Sequence, residues 1–236
     1  MEKGQKLYEG KAKIVYETEE PDKVIIYFKD DTTAFDGIKK EQITGKGVIN
    51  NTISSMIFEL LQKRGIPTHY IKKLSDREML AYKVEIIPVE VVVRNYAAGS
   101  FTRRYGIEEG TRLEKPLVET FWKNDELHDP LVCEEHIDLL KLANLDDVRE
   151  MKEIALKVNK VLKDFFAAKN IILVDFKLEF GKTAEGKLVL ADEISPDSCR
   201  LWDAKTKKKL DKDVFRYDLG SLQEVYKELL RRLEEN

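Results

Sequence analysis

A chain of 236 residues is long enough to bury a substantial core, as one large domain or two small lobes. Its 41 lysines and arginines nearly balance 44 aspartates and glutamates, for a net charge of −3. The basic surplus that phosphate neutralisation demands of a duplex-binding protein is therefore missing, and no nucleic-acid partner is expected. No apolar run approaches the roughly 20 residues of a membrane helix, and Met1 to Lys6 has no secretory-type apolar stretch. Cys133 and Cys199 lie far apart without Cys-x-x-Cys spacing, which points to a reducing compartment, the cytoplasm by default.

In chain order, Leu7 to Tyr16 and Val24 to Phe28 read as strands around a Pro21-Asp22 turn, and Asp30 to Thr33 as a loop. A helix is expected from Val48 to Arg64, with Ile53, Met56, Ile57, Leu60 and Leu61 on one face and Gly65 and Pro67 ending it. Leu80 to Ile87 and Val89 to Arg94 read as strands divided by Pro88, a suitable lobe boundary because proline interrupts pairing. Leu145 to Lys169 carries the clearest helical stripe, in Val148, Met151, Ala155, Val158, Leu162 and Phe165. Ile171 to Phe180 and Leu188 to Ala191 read as paired strands around Ala184-Glu185-Gly186. A last amphipathic helix uses Leu222, Val225, Tyr226, Leu229, Leu230 and Leu233. Strands and helices mix without regular alternation, which indicates an α+β fold.

Four segments carry chemistry. Gly10-Lys11-Ala12-Lys13 sits in the first hairpin, where glycine admits a phosphate to the backbone and lysines offset its charge; alone, it reads more simply as an exposed basic hairpin. It is no Walker A loop, and Gly45-Lys46-Gly47 fails that pattern too. In Val174 to Phe180, alternation places Asp175, Lys177 and Glu179 on one strand face and Val174, Phe176, Leu178 and Phe180 on the other. Asp192 ends the strand expected to pair with it, so Glu179 and Asp192 can meet as hard oxygen ligands for magnesium; a solvated charged face is the alternative.

An apolar strand delivers Arg94 to its end, and small residues then clear space up to Ser100, a cradle for phosphate or carboxylate or else a strand-end arginine over a tight turn. Ser195 to Asp203 presents Asp197 and Arg200 on a rigid loop. There Trp202 reads as a core anchor and Cys199 as an inert thiol, while His69, His128 and His136 lack zinc-ligand spacing.

Taken together, Leu7-Tyr8-Glu9-Gly10-Lys11-Ala12-Lys13, Asp31 to Gly37, Val93 to Ser100, Leu173 to Gly181 and Asp192 to Asp203 resemble the signatures of one family. It is the phosphoribosylaminoimidazole-succinocarboxamide synthase (SAICAR synthetase) family, in its short bacterial and archaeal form, and the resemblance spans essentially the whole chain. It implies a two-lobed α+β fold, residues 1–84 forming a nucleotide lobe similar to those of ATP-grasp enzymes and protein kinases, and 85–236 carrying the metal and substrate sites. It also implies the reaction: the carboxylate of carboxyaminoimidazole ribonucleotide (CAIR) and the amine of L-aspartate form an amide, giving SAICAR, ADP and phosphate.

Carried over by position, the resemblance makes Lys11, Ala12 and Lys13 the phosphate-side hairpin. Val15 and Val24 become adenine contacts, and the backbone near Tyr82, Lys83, Val84 and Ile86 the hinge. Glu179 and Asp192 match magnesium ligands, with Lys123 near the nucleotide. Arg94, Ser100 and Arg200 match a grip on the CAIR phosphate, and Asp175, Lys177 and Asp197 surround its imidazole and carboxylate. Lys13, Lys123, Asp175 and Lys177 are the catalytic candidates; Asp36 and Lys212 are further site candidates, and no general base is assigned. Phe35 and Cys199 fall where relatives vary. Tyr82 stands where some carry lysine, so only a backbone contact is implied there.

A homodimer is the default assembly, since twofold oligomers are the commonest. Two rivals remain. A small-molecule or protein kinase would share the hairpin and late carboxylates, but His-Arg-Asp is missing and Asp175-Phe176-Lys177 is not Asp-Phe-Gly. A non-catalytic nucleotide-binding or RNA-contacting protein is opposed by the charge balance and by the joint presence of Lys11, Lys177, Glu179, Asp192 and Arg200.

Overall fold

The computed structural model describes residues 2–34 and 38–235; Asp36 lies outside them. The chain opens as β1 (Lys6–Glu9), β2 (Lys13–Glu17) and β3 (Lys23–Phe28), antiparallel in succession. The expected loop at Asp30 to Thr33 is instead a short strand, β4 (Asp31–Ala34), paired with β5 (Lys39–Gln42); Thr32 and Ala34 alternate inward, which the polar composition hid. Helix α1 (Lys46–Lys63) then packs Ile49, Ile53, Ile57, Phe58 and Leu61 into the core. Strands β6 (Tyr70–Ser75) and β7 (Glu78–Tyr82) complete a five-stranded sheet in the order β1-β2-β3-β7-β6.

The strand expected from Leu80 to Ile87 is divided. After β7 the Lys83 N–H donates to the Asp22 carbonyl at 2.7 Å, and β8 (Glu85–Ile86) resumes in the other sheet, against β12. That sheet also takes β9 (Val89–Tyr96). The short α2 (Ser100–Tyr105) leads to β10 (Arg112–Trp122), β11 (Leu131–Val132), α3 (Glu134–Leu139) and α4 (Leu145–Ala168). Strands β12 (Ile171–Lys182), β13 (Leu188–Ala191) and β14 (Cys199–Asp203) follow, then α5 (Asp213–Arg216) and α6 (Leu222–Glu234). Along β11-β10-β9-β12-β13 this second sheet is antiparallel, and β12 is its centre: β14 pairs with its first half, β13 with its second.

Helix α4 lies on one face of this sheet with Val148, Met151, Ile154, Ala155, Val158, Leu162 and Phe166 buried. The stripe ends on Phe166, fully buried, rather than on Phe165, because the final step is four residues and not three. Helix α6 covers α1 through Leu222, Val225, Tyr226, Leu229 and Leu233.

A bulge in β12 overturns one expectation. Leu173 pairs with Leu201 and Asp175 with Arg200, so two residues of β12 oppose one step of β14. Leu173, Phe176, Leu178 and Phe180 all join the main core, whereas Val174 packs with Ala98 and Trp202 on the opposite face. The extra residue switches the alternation, so Val174 and Asp175 share a side and Asp175 falls in line with Lys177 and Glu179. Behind the bulge, the buried Asn95 amide donates to Asn159 Oδ1 at 2.8 Å and to the Leu173 carbonyl at 3.2 Å, and Asn159 returns a bond to Asn95 Oδ1 at 3.0 Å.

Candidate active site

Three charged clusters stand out, two of them anchored on β12 by Asp175, Lys177 and Glu179. The first gathers at the β12–β13 end. Glu179 pairs across the ladder with Ala191, so Asp192 follows one residue beyond, in a left-handed conformation (φ 61°) that aspartate tolerates. Lys13 reaches over from β2 to bond Asp192 and, at 2.8 Å, Glu193. Lys123, just past β10, bonds Glu179, while Lys177 bonds Glu90 at 2.6 Å and Glu179 at 3.3 Å. Burial alone would push the Asp192 carboxyl up, but Lys13, Lys177 and Lys123 outweigh it and hold it at about 2. Burial likewise works against charge on Lys13 and Lys177, and their carboxylates more than offset it, so both are raised and stay protonated.

The second cluster is an alternating ladder of charge. Arg94, 3% exposed, donates from Nε to Glu119 at 2.6 Å and from Nη1 to Asp175 at 2.6 Å, with Nη2 3.3 Å from Ser100 Oγ. Arg200 donates from Nε to Asp213 at 2.8 Å and from Nη1 to Asp175 at 3.1 Å. Gly99 (φ 58°) lets the chain pass beside it: a Cβ there would stand 2.5 Å from Arg200 Nη2. The third cluster centres on Asp197, which accepts from the Tyr226 hydroxyl at 2.6 Å and lies 2.7 Å from Lys46 Nζ and 3.7 Å from Lys212 Nζ. Burial opposes its ionisation, yet Lys212 and Lys46 hold its carboxyl far below the usual range. Ser195 joins the clusters: its hydroxyl donates to Glu193 and accepts from the Asp197 N–H at 3.1 Å.

The structure thus brings Lys13, Lys123, Lys177, Glu179 and Asp192 together at one end of β12, Arg94, Ser100, Asp175 and Arg200 together further along it, and Asp197 with Lys212 in a third cluster. Lys11 stands apart, exposed and paired with Asp125 at 2.8 Å. Val24 is buried opposite Ala81 and Val15 half-buried opposite Ile26, while Tyr82, Lys83, Val84 and Ile86 form the crossing between the sheets. Gly181 makes room for that crossing, since a Cβ there would meet Val84 and the Glu85 carbonyl at 2.8 and 2.9 Å. A hollow of about 550 Å³ beside Tyr82 and Lys83 is lined by Asp22, Gln62 and Lys187; Glu179 and Asp192 are not among its lining residues.

Sequence reasoning missed Lys46, Glu90, Glu119, Glu193, Asp213 and Tyr226. Lys46 is fully buried at the start of α1, in the Gly-Lys-Gly step that failed as a nucleotide loop; only an unusual charge beside a buried helix face could have marked it. Trp202 is a core anchor and Cys199 is buried with its thiol pushed up by burial, as the sequence suggested. His69 is a packing residue, edge-on to Phe58 at 5.4 Å.

Among the described residues no group of three or more His, Cys, Asp or Glu side chains forms a metal cluster. Two carboxylates, Glu179 and Asp192, nonetheless fit the one or two hard-oxygen donors that magnesium bound largely through phosphates and water takes from a protein. Cationic side chains facing carboxylates, on a surface reached from both sheets, are suited to holding polyanions and moving charge between them. Fold and surface are those of a nucleotide-dependent enzyme.

Comparison with known proteins makes this particular. The SAICAR synthetase family profile matches residues 6–233. The phosphoribosylaminoimidazole-succinocarboxamide synthase of Persephonella marina is 63% identical over 234 residues, covering 99% of this chain and 98% of that one. The crystal structure of the synthase from Ehrlichia chaffeensis superposes with a TM-score of 0.94 at 48% identity, covering 97% and 98% of the two chains. A SAICAR synthetase solved in complex with ADP gives 0.93 at 53% identity, covering 96% and 97%. The chain belongs to the SAICAR synthetase family, the ATP-dependent ligases of purine biosynthesis.

Proposed function

We propose that this chain joins the CAIR carboxylate to the amine of L-aspartate, with ATP converted to ADP and phosphate, and that its residues divide the work as follows. The observation that carries the reading is that one face of β12 aligns Asp175, bonded to Arg94 and Arg200, with Lys177 and Glu179, and that Lys177 acts with Lys13 and Lys123 on Asp192. Residues 1–84 form a nucleotide lobe around the first sheet and residues 85–236 a substrate lobe around the second. Adenine lies against Val15 and Val24 at the Tyr82, Lys83, Val84 and Ile86 crossing, with Lys11, Ala12 and Lys13 beside the phosphates. Glu179 and Asp192 hold Mg2+, which when bound withdraws charge from the phosphoryl oxygens.

A carboxylate resists attack because it is anionic and oxide is a poor leaving group. Transfer of the γ-phosphoryl group to a CAIR carboxylate oxygen breaks the bond to ADP and makes phosphate the leaving group. Attack by aspartate's neutral amine then forms the C–N bond and expels phosphate, the amine's proton passing to solvent. Lys13, Lys123 and Lys177 stabilise charge on the transferring oxygens. Arg94, Ser100 and Arg200 hold the CAIR phosphate, and Asp175, Lys177, Asp197 and Lys212 its ring and carboxylate; Asp36, outside the described residues, is a further substrate-site candidate. The existing ion pairs exchange partners as ligands arrive: each lysine gives up a carboxylate for a phosphate oxygen.

A coupled assay tests the whole. ADP release that requires CAIR and aspartate together supports the ligase. Release that depends on a hydroxyl acceptor without aspartate supports a kinase, and ATP binding without turnover supports a non-catalytic role. A homodimer in the cytoplasm completes the proposal; the free thiols of Cys133 and Cys199 suit that compartment, and sedimentation velocity reads the assembly.

A further inference from the structure

Arg94 and Arg200 are held in the same manner from opposite sides of Asp175. Each gives Nη1 to Asp175, and each gives Nε to an outer carboxylate, Arg94 to Glu119 and Arg200 to Asp213. Each outer carboxylate spends its second oxygen on a further arginine: Glu119 Oε1 accepts from Arg104, and Asp213 Oδ1 accepts from Arg216 Nη1 at 2.6 Å. The result is one chain of seven alternating charges, Arg104, Glu119, Arg94, Asp175, Arg200, Asp213 and Arg216. Four cations against three anions leave it one positive charge in excess. Both Nη2 edges meet the Gly99-Ser100 turn, Arg94 at Ser100 Oγ (3.3 Å) and Arg200 beside Gly99. Arg104 Nη1 reaches the same hydroxyl at 3.1 Å.

We infer that Glu119 and Asp213 are positioning residues that set the two arginine forks toward the phosphate of the substrate, an inference that rests on the phosphate seat proposed above. An arginine side chain has many rotamers, and an anion gains most from a fork already aimed at it. Glu119 and Asp213 are buried, at 8% and 0% exposure, so water does not compete for the Nε edges. They touch the arginines at Nε, away from the Nη2 edges that face the turn. Neither carboxylate would approach the phosphate, which their charge would repel.

Glu119→Gln and Asp213→Asn keep an acceptor of the same shape but remove the charge. With ATP and aspartate saturating, each should raise the KM for CAIR about tenfold or more, while kcat and the KM for ATP stay within about threefold. Thermal midpoint and ADP affinity of the same samples report folding. Should Glu119→Gln fail to fold, Glu119→Asp, which keeps the charge but withdraws it, reads the same split. An unchanged CAIR KM, or a rise in every KM together with a lowered midpoint, overturns the positioning role. Arg94→Ala and Arg200→Ala separate the two levels. If they raise the CAIR KM and the carboxylate variants do not, this inference alone falls. If they leave it unchanged, or the parent shows no ADP release dependent on CAIR and aspartate, the phosphate seat falls with it.

Discussion

Glu179 and Asp192 stand one residue out of register on neighbouring antiparallel strands, Glu179 facing Ala191 and Asp192 following it, with the charge of Lys177 acting on both. Glu179→Gln and Asp192→Asn should each lower kcat about a hundredfold, a loss of about 3 kcal/mol of transition-state stabilisation. Their stabilities should differ. Lys123 is 41% exposed at its side chain and can turn to solvent when Glu179 is neutralised, whereas Lys13, only 15% exposed, would keep only Glu193 once Asp192 is. Near-parental turnover in both variants would remove them from the metal site.

Tyr226 connects α6 to the site through a single hydrogen bond to Asp197. Tyr226→Phe leaves one lone-pair direction of a buried carboxylate empty and should cost about 1–3 kcal/mol of stability. Because Lys46 remains at 2.7 Å, the carboxylate should stay ionised but less firmly aimed, and the KM for CAIR should rise. A midpoint and KM both equal to those of the parent would show that Lys46 alone suffices.

The Asn95–Asn159 pair ties β9 to α4 behind the β12 bulge. Asn159→Leu strands the Asn95 carbonyl oxygen and should destabilise by about 1–3 kcal/mol, while replacing both amides with apolar residues should recover part of the loss. Full recovery is not expected, since the Leu173 carbonyl also loses its Asn95 donor. Urea unfolding of the four proteins in a double-mutant cycle measures the coupling directly.

Asp211 accepts the N–H groups of Leu201 and Asp213 at 2.8 and 2.7 Å, but burial first, and then the neighbouring Asp213 charge, push its carboxyl up to about 7. A raised pKa means that the folded state retains a proton the unfolded chain has already lost. Asp211's stabilising share is thus complete below about pH 4 and disappears as pH rises through about 7. Carboxylates held down, such as Asp192 and Asp197, act in the opposite sense. The informative quantity is therefore the difference between parent and Asp211→Asn unfolding curves, in which the parent should lose ground steadily from pH 4 to 7. A difference independent of pH would show that the group titrates normally.

Much of this arrangement is legible in the sequence. Alternation along β12 marked Asp175, Lys177 and Glu179 as one face, and the long stripe of α4 needed only its last step moved. What stayed hidden shares a physical cause. Strand β10 carries Arg112, Glu114, Lys115 and Glu119 and is interrupted by Pro116, where its pairing with β9 shifts register, so neither alternation nor apolar content announces it. Nothing in the sequence singles out Glu119, and its burial between Arg94 and Arg104 depends on partners 25 and 15 positions away. The Val174 bulge is equally silent, because an extra residue changes parity without changing composition.

Asp175, Lys177 and Glu179 hang from a single strand, and an extended backbone advances about 3.3 Å per residue, so about 13 Å separates the first Cα from the last. Strand β12 is gripped along both edges, by β9 and β8 on one side and β14 and β13 on the other. Under the proposed assignment, the arginine turn at one point along it would seat CAIR and the lysine–carboxylate end at another would face ATP. The distance between the two reactants would then be set by the pitch of one strand.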